Sequence, residues 1–237
     1  MPLHAVLFDL FHTLIDVNRA PGRSTAEILG LDPARWNLRV IEESRHHALG
    51  AIEDPFESVR TIVHGIDPAI PDEKVREAVA GRAARFRHAL LEVRADVLET
   101  LDRLRERGLS LGLISNAYYD EIAAWPESPL ALRIDVPLFS CHEKIAKPDP
   151  AIYRLAASRI GVEPESCLYV GDGGSREHEG ARAAGMRTVL ILGMLEETLP
   201  AVAATRPRDT DWVVRAFPEL LDVVAAACRD SAAPPVA

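Results

Sequence analysis

A chain of 237 residues, 48% of them hydrophobic, can bury a sizeable core as one large domain or as one domain carrying an insertion. Its formal net charge is −9, with acids and bases mixed along the chain rather than blocked, which argues against nucleic acid or an anionic membrane surface as a partner. Cys141, Cys167 and Cys228 are widely spaced and form no CxxC pair, which argues against a disulfide framework or structural zinc and for a reducing cytoplasm.

Short apolar β-type runs alternate with amphipathic segments, the pattern of a parallel α/β sheet. The first run is 4–9, "HAVLFD". A long helical stretch follows. "STAE" from Ser24 and "DPFE" from Asp54 pair a capping side chain with an acid three residues on, and "DPAR" puts Pro33 at a first helical position. Gly30, Gly50 and Gly65 sit where helices would stop. Further helices are expected at 72–91 and at 95–107, the latter with Val97, Leu98, Leu101 and Leu104 on one face. Strands are expected at 109–115, 136–140, 167–171, 186–192 and 211–214. Their continuous apolarity suits strands covered on both faces. The crossover between the first two strands is far longer than a sheet needs, so residues 17–90 are read as an inserted helical cap on a core of 1–16 and 91–229, with 230–237 as a disordered tail.

Three strands end in a particular kind of residue: Asp9, then Ser115 with Asn116, then Asp172. In an open parallel sheet these carboxyl ends converge at the switch point where ligands bind. Lys147 opens "KPDPAIY", a loop leading into a helix. Taken singly, an Asp at a strand end is a turn former, Ser-Asn a turn pair and Lys a solvated surface group. Four such coincidences in this order favour one charged site over four bland explanations.

These segments resemble the motifs of the haloacid dehalogenase superfamily of aspartate-nucleophile hydrolases: "FDLFHTLID" the first, "LISN" the second, "KPDPAIY" the third and "YVGDGGSREHEGARAAGM" the fourth. The resemblance implies a Rossmann-like parallel core with an inserted α-helical cap. It implies Asp9 as nucleophile, Ser115 and the Asn116 backbone as phosphate or oxyanion ligands, and Lys147 as balancing cation. It also implies a Mg²⁺ held by Asp9, the Phe11 carbonyl and Asp172, with Glu177 outside the direct ligands. The chemistry is consistent: a carboxylate attacking an anionic phosphate needs a hard cation and an ammonium to offset repulsion. The resulting acyl phosphate would then be hydrolysed by water.

The chain departs from that pattern at three positions. Phosphatases of the superfamily usually carry a second Asp two residues after the nucleophile, as proton donor; here that residue is Phe11, which transfers no proton. Glu177 stands where the fourth motif usually has Asp, and can either bind a metal-bound water or orient Lys147. His12 replaces a customary Gly; it tolerates the left-handed conformation moderately well, or its imidazole substitutes as acid. Haloacid dehalogenases of the same superfamily have an aromatic residue at the Phe11 position and work without metal, but the "VGDGG" run keeps the metal-binding feature. The order of readings is therefore a Mg²⁺-dependent phosphatase acting on a small phosphorylated metabolite, then a 2-haloacid dehalogenase, then a phosphate-binding protein with little turnover.

A small anionic substrate is expected, with neither nucleic acid nor membrane as partner, in a cytoplasmic monomer or homodimer. Substrate choice would rest with the cap segment 35–47, where Arg39, Arg45, His46 and His47 either reach an anionic group or form a solvated helix face. Tyr118 and Tyr119 line the entrance or pack under the cap. Cys141 with His142 lacks the partners for zinc or thiol catalysis, and Trp36, Trp125 and Trp212 read as packing residues.

Overall fold

The computed structural model describes residues 2–230. Its centre is a sheet of six parallel strands, β1 (Ala5–Phe8), β2 (Ser110–Ser115), β3 (Val136–Phe139), β4 (Cys167–Gly171), β5 (Arg187–Ile191) and β6 (Trp212–Val214), in the order β3-β2-β1-β4-β5-β6. The chain winds outward from β1 to β3 on one side, then returns to place β4 on the other. The carboxyl ends of β1 and β4 thus flank the switch point of the fold. Register aligns Phe8 with Leu113 of β2 and with Val170 of β4, so the residues just beyond these strands emerge side by side.

Alternation along the strands assigns side chains to the two faces. Val6, Phe8, Leu111, Leu113 and Val170 point into one apolar layer, closed by the helices at Ala95–Glu106 and Leu220–Asp230. Ala5, Leu7, Ile114 and Tyr169 point into the other, closed by the helices at Pro150–Ile160 and Glu177–Ala183. This two-sided coverage is why the strands read as apolar without alternation.

The helices in chain order are α1 (Thr25–Leu29), α2 (Pro33–Ala48), α3 (Pro55–His64), α4 (Asp72–Leu91), α5 (Ala95–Glu106), α6 (Ser140–Glu143), α7 (Pro150–Ile160), α8 (Glu177–Ala183), α9 (Gly193–Thr198), α10 (Pro200–Ala203) and α11 (Leu220–Asp230). Local chemistry starts the first three as expected. Ser24 and Glu27 close a reciprocal capping box, Asp32 accepts from the Arg35 N–H at 2.9 Å, and Asp54 from the Glu57 N–H at 2.8 Å. Residues 17–24 contribute only a 3₁₀ turn, Val17–Arg19, and the first α-helix after β1 starts at Thr25. The last helix reaches Asp230, one residue into the expected tail; 231–237 lie outside the described residues.

Helices α1–α4 have an apolar cluster of their own, including Ile28, Leu29, Trp36, Val59, Ile62 and Val75. Polar ties join it to the sheet layer. Arg82 on α4 bonds Asp120 at 2.6 Å and also Glu121, Arg85 donates to the Val17 carbonyl at 2.9 Å, and Lys144 donates to the Gly50 carbonyl at 2.8 Å. Among the described residues no helix is long and apolar enough to cross a membrane.

Candidate active site

Asp9 continues β1, its N–H donating to the Val170 carbonyl at 2.9 Å, so the carboxylate is fixed at the mouth of the sheet. The chain then turns back within a few residues: His12 N–H meets the Ile15 carbonyl at 2.7 Å, and Leu14 N–H the Leu10 carbonyl at 2.9 Å. Leu10 and Leu14, both fully buried, anchor this loop. His12 takes φ +62°, the left-handed conformation for which glycine is customary. Its Nδ1 lies 3.6 Å from Asp16, too far for a hydrogen bond but close enough for charge attraction. Burial works against protonation of this ring, yet Asp16 and the carboxylates of Asp172 and Asp9 raise its affinity for a proton.

Lys147 is the hub of the site. Its ammonium reaches Asp9 Oδ1 at 2.5 Å, Glu177 Oε2 at 2.6 Å and the Tyr169 hydroxyl at 3.1 Å, one partner for each of its three protons. The Tyr169 hydroxyl in turn donates to Glu177 Oε2 at 2.6 Å, and the Gly173 N–H donates to Glu177 Oε1 at 2.8 Å. The loop bearing Lys147 is held by Asn116, whose side chain accepts from the Lys147 N–H at 2.8 Å and donates to its carbonyl at 3.0 Å. The Asn116 side chain is therefore occupied in positioning Lys147. Of the two roles open to Glu177, the geometry fits orientation of Lys147. Its carboxylate lies over Gly171, where an added Cβ would collide with it.

Lys147, Glu177, Asp9 and Asp172 are all buried, so each needs a partner: Lys147 is paired with Asp9 and Glu177, and Asp172 with Arg206. Burial alone would drive the Lys147 proton off, but Asp9 and Glu177 hold it on more firmly than in water. Burial would likewise protonate Glu177, and Lys147 keeps it ionised. At Asp9 burial raises the proton affinity, Lys147 opposes this, and Glu177 and Asp172 add to it.

Asp172, directly after β4, accepts from the Gly174 N–H at 2.9 Å on one oxygen and from Arg206 at 2.6 Å on the other. Ligand oxygens of Asp9, Asp172 and Glu177 lie within 4.8 Å of one another. Ser115, one residue beyond the level of Asp9 on the neighbouring strand, is fully buried, and its hydroxyl has no hydrogen-bond partner among the described residues. An unmatched buried hydroxyl at this position is available to a bound oxyanion. Thr13 makes a long contact of 3.4 Å to Asp9 Oδ2.

Above these groups a cavity of about 1000 Å³ opens between α2, α4 and the sheet loops. Phe11, Phe86, Val17, Leu49, Ile145 and Tyr118 supply apolar wall, and Arg45, Lys144 and Lys147 supply positive charge. Of the four cap candidates, Arg45 alone lines it, and no side-chain hydrogen bond or ion pair engages its guanidinium among the described residues. Arg39 is tied to Glu42 and Glu43, and His47 is buried against the Ser58 hydroxyl at 2.9 Å. Tyr118 packs between His47 and Arg82, under the cap helices, whereas the Tyr119 hydroxyl bonds Lys144 and the Cys141 carbonyl. Trp36 and Trp125 are buried, and Trp212 packs beneath Arg187.

A family model described as haloacid dehalogenase-like hydrolase matches residues 3–185, the span that carries Asp9, Ser115, Asn116, Lys147 and Asp172. The chain belongs to the haloacid dehalogenase-like hydrolases. It is 32% identical to a glyceraldehyde 3-phosphate phosphatase of Methanopyrus kandleri, over 96% of this chain and all of that one. It is also 29% identical to (S)-2-haloacid dehalogenase 4A of Burkholderia cepacia, over 80% of this chain and 83% of that one. Its fold superposes on a 2-haloacid dehalogenase of Pseudomonas syringae pv. Tomato with a TM-score of 0.63 at 23% identity, covering 94% of this chain and 99% of that chain.

Sequence reasoning about this haloacid dehalogenase-like hydrolase missed two site residues. Tyr169 reads as one more apolar member of β4, and only its hydrogen bonds to Lys147 and Glu177 reveal its polar end. Arg206 lies beyond the matched span in "TRPRD", a segment with no periodic or motif signal.

Proposed function

We propose that this hydrolase is a Mg²⁺-dependent phosphatase in which Asp9 is the nucleophile, acting on a small phosphorylated metabolite. The observation that carries this reading is the grouping of three buried carboxylates whose oxygens lie within 4.8 Å of one another, two of them bonded to the Lys147 ammonium, at strand ends where the Ser115 hydroxyl has no partner among the described residues. The donor set suits a hard divalent cation, because Mg²⁺ takes carboxylate and carbonyl oxygens and keeps several waters. Asp9, Asp172 and the Phe11 carbonyl would hold it, and when bound it would offset the charge of the phosphoryl oxygens.

The chain's own groups have separate tasks in this reading. Asp9 attacks phosphorus in line with the departing oxygen, forming an acyl phosphate as the ester bond breaks. Ser115 donates to a phosphoryl oxygen, and Lys147, kept charged by Glu177, offsets the charge that the phosphate brings against Asp9. Water then hydrolyses the acyl phosphate, returning Asp9 and releasing inorganic phosphate. Phe11 supplies no proton to the leaving oxygen, so the reaction favours substrates that expel a stable anion or carry their own proton donor.

A second reading, 2-haloacid dehalogenase, is favoured by the ring of Phe11, since halide leaves without a proton. One screen separates them: phosphorylated metabolites and 2-haloacids, each with Mg²⁺ and with chelator. Phosphate release that chelation abolishes supports the phosphatase; halide release that chelation spares overturns it. In either case Asp9→Asn is expected to lower turnover by several orders of magnitude while the fold is kept.

A further inference from the structure

Arg206 pairs with one of the strand-end carboxylates, Asp172, and it reaches in from a segment outside the span shared with the family model. It follows α10, on the turn before β6, and its Nη2 lies 2.6 Å from Asp172 Oδ2. The Asp172 side chain is 5% exposed and that of Arg206 21%. This is a charge pair at the edge of the site, closed on the acid side and open to solvent on the base side.

The pair sits in a shaped place. Arg206 lies along the Gly173–Gly174 turn, where a Cβ added at Gly173 would stand 3.4 Å from its Cδ and one at Gly174 3.4 Å from its Nη2. Gly173 has φ +86°, a left-handed conformation that favours glycine, and Arg206 packs along this turn in van der Waals contact. The Arg206 Nε is buried and has no hydrogen-bond partner among the described residues, so the side chain is aimed at Asp172 at the expense of one of its own donors. With the Gly174 N–H on its other oxygen, Asp172 has both oxygens engaged.

We infer that Arg206 is a resident counter-ion that competes with a divalent cation for Asp172, a role that rests on the Mg²⁺ reading above. A cation taking Asp172 Oδ2 as ligand must first displace the guanidinium. Its apparent affinity is then lowered by the fraction of molecules in which the pair is closed. When released, Arg206 swings toward solvent on its exposed side, while Asp172 exchanges one positive partner for another and is never left buried and unpaired. Lys147 is not equivalent, because its three protons are all committed to Asp9, Glu177 and Tyr169.

The test is calorimetric titration of the full chain with MgCl₂ at constant ionic strength, with thermal melts in the same buffers. Arg206→Gln is expected to bind Mg²⁺ at least tenfold more tightly than wild type and to gain more thermal stability from it. Without Mg²⁺ the variant is expected to melt earlier than wild type, because Asp172 is left unpaired. In an Asp172→Asn background, Arg206→Gln is expected to add nothing. Arg206→Lys, which keeps a charge but loses the planar fork, is expected to fall between wild type and Arg206→Gln, and it serves as the test should the Gln variant fail to fold. Equal or weaker Mg²⁺ binding by the variants overturns the inference and leaves the metal reading standing. Absence of Mg²⁺ binding in every protein, with phosphate release insensitive to chelator, overturns both.

Discussion

The ring of Phe11 meets the ring of Phe86 edge-on, with centroids 5.6 Å apart and planes at 76°. This contact joins the loop after the nucleophile candidate to helix α4, and Arg82 stacks on the far partner at 4.6 Å. The position that would carry a proton donor instead helps to close the wall of the cavity.

Phe11→Asp restores a carboxyl at that position. If Asp9 attacks phosphorus, alkyl phosphates are expected to gain more than aryl phosphates such as p-nitrophenyl phosphate, within the roughly hundredfold to ten-thousandfold span of general-acid help. Steady-state rates on both substrate types measure this, and an unchanged alkyl-to-aryl ratio in a folded variant refutes the missing-donor account. Loss of the Phe86 contact also lowers stability, so melts accompany the kinetics.

Glu177→Ala removes one of two carboxylates holding a buried ammonium. Breaking a buried pair by deleting one partner is expected to cost about 3–5 kcal/mol in denaturant unfolding. Turnover is expected to fall as well, because Lys147 loses its orientation against Asp9. An unfolding free energy within error of wild type would refute the hub role of Lys147.

Arg45→Gln tests the cap side of the cavity. For substrates carrying a second anionic group, KM is expected to rise roughly tenfold with kcat little changed, the pattern of a lost charged hydrogen bond made equally in ground and transition states. For p-nitrophenyl phosphate, which lacks such a group, KM is expected to stay near wild type. Equal effects on both substrates would place Arg45 outside the substrate contacts.

His47 gives the insertion a pH signature. Burial, more than any neighbour, holds its imidazole below the ordinary value of 6.5, with His46 and Arg82 acting the same way and Glu43 and Asp120 opposing. The unfolded chain therefore takes up the proton first as pH falls below 6.5. The stability due to neutral His47 is complete above that value and is lost through the window beneath it. Thermal melts on either side of 6.5 are expected to show a smaller acid loss for His47→Gln than for wild type.

The sheet was legible because both its faces are covered: strands such as "CLYVG" had no polar residues to blur their limits, and β4 runs Cys167–Gly171 as expected. The positions of Asp9, Ser115, Asn116 and Asp172 at strand ends were legible because each follows an apolar run, and Lys147 stood out because it precedes the Asp149 cap of α7. Contacts set by the insertion were not. Arg39, Arg45, His46 and His47 share one helix, and only packing decides that Arg39 is tied to its own helix, His47 turns inward and Arg45 faces the cavity. Arg206 was invisible for a related reason: an arginine on a short surface turn looks solvated until the chain folds and brings it to Asp172.

A side chain at Gly171 would collide with the Glu177 carboxylate, so in this chain the two positions are tied together. The longer acid reaches Lys147 by lying across the strand end, so it is admissible only where the strand end is bare. A lineage that shortened the acid to Asp would free position 171 to vary, whereas one that first filled position 171 would evict the acid from Lys147.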